Sequence, residues 1–261
     1  NYPDFTNASR AIKKSEIKRC ANNGIAVPIE IKIGYDGVVL AREAKSAPLN
    51  LTKKQIFLAM ADKIPLNGKL VNNFYEKWSD IDKSLPNVEI AIYGPPATSG
   101  TRDSFVELVL EKQCVKMAEF IKYYPDKKKR KSICHVIRSD GKFIEAGEND
   151  NLIVQKLKSN EDALGIFGFS FLQQNSNSVR GVKIDNIYPS SINISTGTYK
   201  VSRPLFIYMK KEHLPKVQGM QEFVNELVSY DAIGSDGYLV ERGLTPLKSK
   251  ELMIVRKALG L

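Results

Sequence analysis

The chain has 261 residues, 43% of them hydrophobic, which is enough to bury the core of one large or two moderate domains. No apolar run reaches the length of about eighteen residues that a membrane-spanning helix needs. The 39 basic and 29 acidic residues leave a net charge of +10, which favours an anionic partner without choosing among polyanions, lipid surfaces and small anions.

The first part of the chain predicts a helix, a long strand and a second helix. The segment Ser9 to Asn22 has helical periodicity and is closed by Gly24. The alternation from Val27 to Ala41 becomes almost continuously apolar, which is typical of a buried strand. Thr52 stands directly before the next apolar-periodic segment, where it predicts the N-cap of a helix.

The middle of the chain predicts a strand, a break and a longer helix. The segment Val88 to Tyr93 alternates as a strand does, two prolines interrupt it, and an amphipathic helix from Phe105 to Tyr124 follows. The basic run Asp126 to Lys131 then predicts a solvated loop. A nucleic-acid site is disfavoured because the run lacks the interleaved aromatic residues of a single-strand-binding groove.

The last part of the chain continues the alternation of helices and strands. Asn149 predicts the N-cap of a helix, and short apolar strands are predicted at Leu164 to Phe169 and at Arg203 to Lys210. Helical stretches end the chain. Because the two kinds of element alternate, the economical fold is α/β, with a mostly parallel sheet covered by helices on both faces.

The break after Tyr93 carries the residues that point most clearly to chemistry. The first N–H groups of a helix lack internal partners and lie at the positive end of its dipole, so they suit an oxyanion. Ser99 and Thr101 add hydroxyl donors, Gly100 allows close approach of a ligand, and Arg102 offers a planar fork for a tetrahedral anion. The alternative is that Ser99 and Thr101 only cap the helix.

The cysteines and histidines indicate no metal site. Cys114 and Cys134 either close a disulfide across the basic run or are buried thiols like Cys20, and the sequence leaves both alternatives open. His135 and His213 are far apart and match no zinc-ligand spacing. We therefore expect neither a metal nor a cofactor.

Several segments together resemble the phosphate-binding proteins of bacterial phosphate ABC transporters, a family of type II periplasmic binding proteins. The Ser-Gly-Thr-Arg junction resembles the phosphate loop of that family, and the other landmarks follow in the family's order. These segments are Asp4 to Lys13, Ile31 to Leu40, Tyr93 to Phe105, Glu148 to Asn151, Gly165 to Phe169, and Ser202 to Tyr208.

The resemblance implies a two-lobed periplasmic-binding-protein fold with mostly parallel sheets. It assigns residues 1–40 and 202–261 to the first lobe and residues 41–201 to the second. Family members usually begin with a strand that ends in another phosphate loop, and that part would precede Asn1. The resemblance therefore implies an incomplete first lobe, a possible partner for Cys20 in the absent part, and phosphate binding that is weak or lost in these 261 residues.

The resemblance also implies the ligand, the site and the setting. Inorganic phosphate would be held by Ser99 to Arg102 from one lobe and by Ser9 and the backbone around Arg10 from the other. The protein would be periplasmic, with its signal peptide outside this chain, and would deliver phosphate to an ABC transporter permease in the inner membrane. We expect no nucleic-acid partner, and either a monomer or a dimer in which a partner chain covers the shortened lobe.

Two positions depart from the family pattern. Relatives carry an arginine where this chain has Pro95, so Arg102 would have to supply the charge. Many relatives also carry, at the position of Arg10, an aspartate that accepts the proton of hydrogen phosphate. Because a guanidinium cannot accept a hydrogen bond, discrimination against sulfate would have to come from another residue or be weak.

Two other functions are kept as alternatives. A non-transport interaction or sensor module would use the same fold and its basic surface. An enzyme acting on phosphorylated substrates is disfavoured, because the sequence shows no Ser/His/Asp order, no paired carboxylates at a plausible site and no metal cluster.

Overall fold

The computed structural model describes residues 3–25, 28–147 and 149–261. These residues form short strands around one long strand, β2. The strands are β1 Phe5–Ala8, β2 Ile29–Glu43, β3 Asn50–Leu51, β4 Lys63–Leu66, β5 Lys69–Asn72, β6 Ile92–Gly94, β7 Phe143–Glu145, β8 Leu164–Gly168, β9 Val179–Gly181, β10 Lys183–Ile184 and β11 Ser202–Met209.

Helices alternate with these strands along most of the chain. They are α1 Lys14–Asn22, α2 Lys53–Met60, α3 Trp78–Ile81, α4 Gly100–Phe105, α5 Lys112–Cys114, α6 Ala118–Tyr123, α7 Lys127–Cys134, α8 Asp150–Ser159, α9 Phe169–Gln174, α10 Ser191–Ser195, α11 Met220–Leu227, α12 Tyr230–Ile233, α13 Tyr238–Glu241 and α14 Ser249–Ala258. A π-helical segment, Val106–Glu111, connects α4 to α5 without a break.

The chain divides into two compact units, each described by itself below. The terminal unit comprises Asn1–Gly37, Ser191–Thr198 and Ser202–Leu261, and the central unit comprises Val38–Ser190 and Tyr199–Val201. The assignment of functional lobes remains a prediction.

The terminal unit is built on an antiparallel sheet in the order β1, β11, β2. Ile31 and Met209 lie on its buried face and pack with Val224, Ile233 and Leu252 from the C-terminal helices. The predicted helix from Ser9 begins later than expected, at Lys14, because Ser9 and Arg10 form a bend after β1. The predicted strand across Val27 begins at Ile29, and Val27 itself lies outside the described residues.

The central unit contains the parallel part of the sheet. Strand β6 lies between β7 and β8 and runs parallel to both, whereas β8 pairs antiparallel with Val38 to Ala41 of β2. The alternation of helices and strands agrees with the α/β prediction. The expectation of mostly parallel strands is corrected to a mixed sheet, because β2 is antiparallel to each of its neighbours, β8, β9 and β11.

Several local predictions in the central unit are confirmed. The Thr52 hydroxyl accepts a hydrogen bond from the N–H of Gln55 and caps α2, and the Asn149 side chain accepts one from the N–H of Asn151 and caps α8. Asn149 therefore has the capping role that its position predicted.

The continuous helix predicted from Phe105 to Tyr124 is wrong. The helix begins earlier, at Gly100, ends at Cys114, and a separate helix follows from Ala118. The predicted loop at Asp126 to Lys131 is also wrong, because Asp126 caps α7 by accepting from the N–H of Lys129.

A disulfide joins α5 to α7. Cys114 and Cys134 are bonded, with 5.6 Å between their Cα atoms, and both residues are buried. The structure thus selects the disulfide from the two alternatives that the sequence left open. Cys20 is a free, half-buried thiol in the terminal unit.

Candidate functional site

The predicted anion site lies at the carboxyl edge of the parallel strands. Strand β6 ends at Gly94, beside the end of β7 at Glu145, and the chain then passes through two prolines to α4. Ligands of α/β folds bind outside this edge of a sheet, where helix N-termini are presented. The sheet order therefore brings Glu145 to the start of α4, although the two positions are distant in sequence.

Ser99 begins the helix that was predicted to hold the anion. Its hydroxyl accepts a hydrogen bond from the N–H of Thr101 at 3.3 Å, and its carbonyl accepts one from the N–H of Asp103 at 3.1 Å. The side chain of Ser99 is buried, whereas Gly100 is exposed. Ser99 therefore caps the helix. A capped helix N-terminus retains the positive end of the helix dipole.

The space beside Gly100 is open. A Cβ atom added there would meet no atom within 4 Å, and the φ angle of Gly100 is not positive. The backbone therefore does not require glycine at this position. The glycine instead leaves room next to the first N–H groups of the helix, which suits a ligand that approaches the backbone closely.

Arg102 points its guanidinium at a carboxylate. Its Nη1 atom donates to Oε1 of Glu145 and, at 3.4 Å, to the carbonyl of Pro95. The guanidinium carbon lies 5.0 Å from the centre of the Phe143 ring, in cation–π contact. Only 18% of the Arg102 side chain is exposed, against 51% for Glu145, so the carboxylate is the more solvated partner of the pair.

The second predicted set of ligand residues lies in the terminal unit. Ser9 is half-buried and Arg10 is exposed, and both line a cavity of about 590 Å³ beside β1. Arg10 donates from both terminal nitrogens to Glu16, at 2.9 and 2.7 Å. These hydrogen bonds are the main cause that lowers the pKa of the Glu16 carboxyl to about 2.

Glu145, Phe143 and Glu16 are the site features that the sequence did not reveal. Glu145 contacts Arg102 only because β7 is the neighbour of β6, and strand order is not visible in periodicity. Glu16 lies in the first turn of α1, six residues beyond Arg10. Glu148, part of the motif Glu148 to Asn151, lies outside the described residues.

A family model described as "PBP superfamily domain" matches residues 1–231 of the chain. The phosphate-binding protein PstS of Staphylococcus saprophyticus is 30% identical over 227 residues, which is 85% of this chain and 59% of that protein. The chain thus spans somewhat more than half of the length of this curated relative.

Solved structures show the same fold. A possible phosphate binding protein from Planctomyces limnophilus superposes with a TM-score of 0.71 at 24% identity, over 98% of this chain and 80% of that one. An ABC-type phosphate transport receptor from Vibrio cholerae superposes with a TM-score of 0.60 at 19% identity, over 92% and 79% of the two chains.

The fold is therefore that of a type II periplasmic binding protein, as predicted, with a mixed instead of a mostly parallel sheet. The chain belongs to the PBP superfamily. The curated relative is named for phosphate binding and not for a catalysed reaction, in agreement with the prediction that this chain is not an enzyme. None of the helices in the described ranges is long and apolar enough to cross a membrane.

Proposed function

We propose that the chain binds inorganic phosphate as the solute-binding component of a phosphate ABC importer, with Ser99, Gly100, Thr101 and Arg102 as its anion seat. One observation supports this most directly: the capped start of α4 lies at the carboxyl edge of the sheet, with open space beside Gly100 and an arginine two residues on. The names of the relatives favour phosphate over other anions.

The contact between Arg102 and Glu145 supports an anion seat, because the guanidinium already pairs with an oxyanion there. The carboxylate accepts from one guanidinium nitrogen, Nη1, through one oxygen. A phosphate ion offers two oxygens to the guanidinium fork and carries more charge. Phosphate therefore competes with Glu145 for Arg102, and the exposed carboxylate is released into water.

Ser9 and Arg10 are proposed as further ligand residues on the resemblance alone. Their place at a bend and beside a cavity is compatible with this role, and the contact of Arg10 with Glu16 repeats the pattern seen at Arg102. Delivery to an inner-membrane permease and a periplasmic location belong to the same proposal.

Calorimetry with phosphate tests the proposal. We expect weak, saturable heat with the chain as given, and its loss when Ser99→Ala is combined with Thr101→Val. This double variant removes both hydroxyls, including the one that caps α4, so circular dichroism must verify that it is folded. The measured affinity also tests the expectation of weak binding. Unchanged phosphate affinity in the double variant would refute the seat.

Sulfate is the matched control ligand, because it has the same shape and no proton to donate at neutral pH. We expect sulfate to bind in the same calorimetric experiment with an affinity close to that of phosphate, as the arginine at position 10 predicts. The alternative of an interaction or sensor module gains support if phosphate binding is absent while binding of a protein partner survives the double variant.

A further inference from the structure

Six exposed lysines lie along the stretch of the central unit from α5 to α7. We call this group the lysine surface; it consists of Lys112, Lys116, Lys122, Lys127, Lys128 and Lys129. Among the described residues, none of these six side chains has a carboxylate within ion-pair distance. The acidic residues of the same stretch include Glu119, which is half-buried, and Asp126, which caps α7.

The backbone under the lysine surface is fixed. The disulfide ties α7 to α5, and Glu111, at the end of the π segment, accepts from Lys131 at 2.5 Å and contacts His135 at 2.7 Å. Burial raises the pKa of Glu111, but the hydrogen bonds from Lys131 and His135 outweigh it, so the pKa lies below the usual range and the carboxylate stays charged. The buried Arg130 donates to the carbonyl of Tyr124 at 2.6 Å and joins α6 to α7.

Apolar side chains project among the lysines. On α6, Phe120 is buried against Phe57, with ring centres 5.8 Å apart, whereas Ile121 and Tyr123 are 46% and 49% exposed. The Lys122 ammonium lies 5.9 Å from the centre of the Tyr123 ring. Exposed aromatic and aliphatic groups set among cations are typical of surfaces that rest in the headgroup region of a bilayer.

The disulfide helps to choose among anionic partners. Disulfides persist in oxidising compartments outside the cytosol. In those compartments a protein meets anionic lipid headgroups more often than nucleic acid. The lysines stand on long flexible stems, and all six are exposed to solvent. They therefore match a diffuse and mobile field of negative charge better than one fixed anion.

We propose that the lysine surface, with Ile121 and Tyr123, docks this protein peripherally on a bilayer that contains anionic phospholipid. The docking does not depend on phosphate, because it uses none of the residues from Ser99 to Arg102. It would hold the central unit at a membrane surface without a spanning segment.

Co-sedimentation with vesicles tests this proposal. We expect the protein to bind vesicles of phosphatidylglycerol and phosphatidylcholine, to leave them as salt is raised, and to ignore vesicles of phosphatidylcholine alone. Replacing Lys127, Lys128 and Lys129 together by glutamate should lower vesicle affinity about a hundredfold, since each lysine near such a surface contributes about 1 kcal/mol.

A matched triple variant separates the lysine surface from general charge. Lys216→Glu, Lys250→Glu and Lys257→Glu change three exposed lysines of the terminal unit and alter the net charge equally. We expect this variant to retain vesicle binding within about threefold. An equal loss in both triple variants, or no binding to anionic vesicles by the parent protein, would overturn the proposal.

The apolar contribution has its own variant. Ile121→Ser with Tyr123→Ser leaves every charge in place and should weaken binding about tenfold, most visibly at high salt. Far-UV circular dichroism and melting temperature verify that each variant is folded. Full vesicle binding by the serine variant would mean that the side chains do not enter the bilayer and would overturn that part of the proposal.

Discussion

Arg102 in the central unit and Arg10 in the terminal unit differ in how far their side chains are buried. Each was predicted to meet an anion, and each instead contacts a carboxylate of its own unit, Glu145 or Glu16. Arg102 is mostly buried above an aromatic ring, whereas half of the Arg10 side chain is exposed. Since exposed ion pairs contribute little, we expect Arg102 to contribute more to anion affinity than Arg10.

The largest expected effect comes from removing Arg102. Arg102→Ala should lower phosphate affinity about a hundredfold, because a charge-assisted fork in a partly buried place is lost. Arg102→Lys is the matched control: it keeps the charge, loses the fork, and should recover only part of the affinity. Calorimetry measures both variants, and equal affinity for Arg102→Ala and the parent would contradict a role of Arg102 in phosphate binding.

Gly100→Ala should have the next largest effect. The added methyl group meets no protein atom within 4 Å, so the melting temperature should hold or rise slightly, since alanine favours a helix more than glycine. Phosphate affinity should nevertheless fall about tenfold, because the methyl group occupies space next to the first N–H groups. Parallel melting and calorimetry separate the two results, and loss of both stability and binding would contradict the explanation.

Glu145→Gln is expected to change phosphate affinity in the opposite direction. Removing the competing carboxylate charge should raise phosphate affinity severalfold, about 1 kcal/mol, since the pair is half exposed. Glu145→Asp, which keeps the charge on a shorter side chain, is the control. A fall in phosphate affinity with unchanged sulfate affinity would mean that Glu145 accepts the phosphate proton instead of competing for Arg102.

The smallest effect on affinity is expected at Arg10. Arg10→Ala should weaken phosphate binding less than Arg102→Ala, and should return the pKa of Glu16 from about 2 toward 4.5. A lowered carboxyl pKa stabilises the fold above about pH 4.5, and this contribution is lost as the pH falls toward 2. Carboxyl titration by NMR measures the shift, and a larger loss of affinity than at Arg102 would reverse the comparison.

The sequence predicted the features that are local. Thr52, Asn149 and Ser99 all cap helices where their residue types indicated, because capping involves only the next few residues. The antiparallel pairing of β2 was missed because alternation of elements does not report strand direction. The helix at α7 was missed although its cap, Asp126, is also a local signal, because the basic run was interpreted as a solvated loop.

The candidate site was likewise predicted only where its residues are close in sequence. The donors from Ser99 to Arg102 are consecutive and could be read directly, whereas Glu145 reaches Arg102 across two strands. Whether Ser9 and Arg10 take part remains a prediction.

Gly94 of β6 lies directly beside the Phe143 ring that contacts Arg102. A Cβ atom at Gly94 would lie 2.7 Å from the Phe143 ring, which is too close for any side chain to be added without moving that ring. The side chain tolerated at position 94 therefore depends on the side chain at position 143. A homologue that gains a side chain at the first position should shrink at the second, and protein engineers should change the two as a pair.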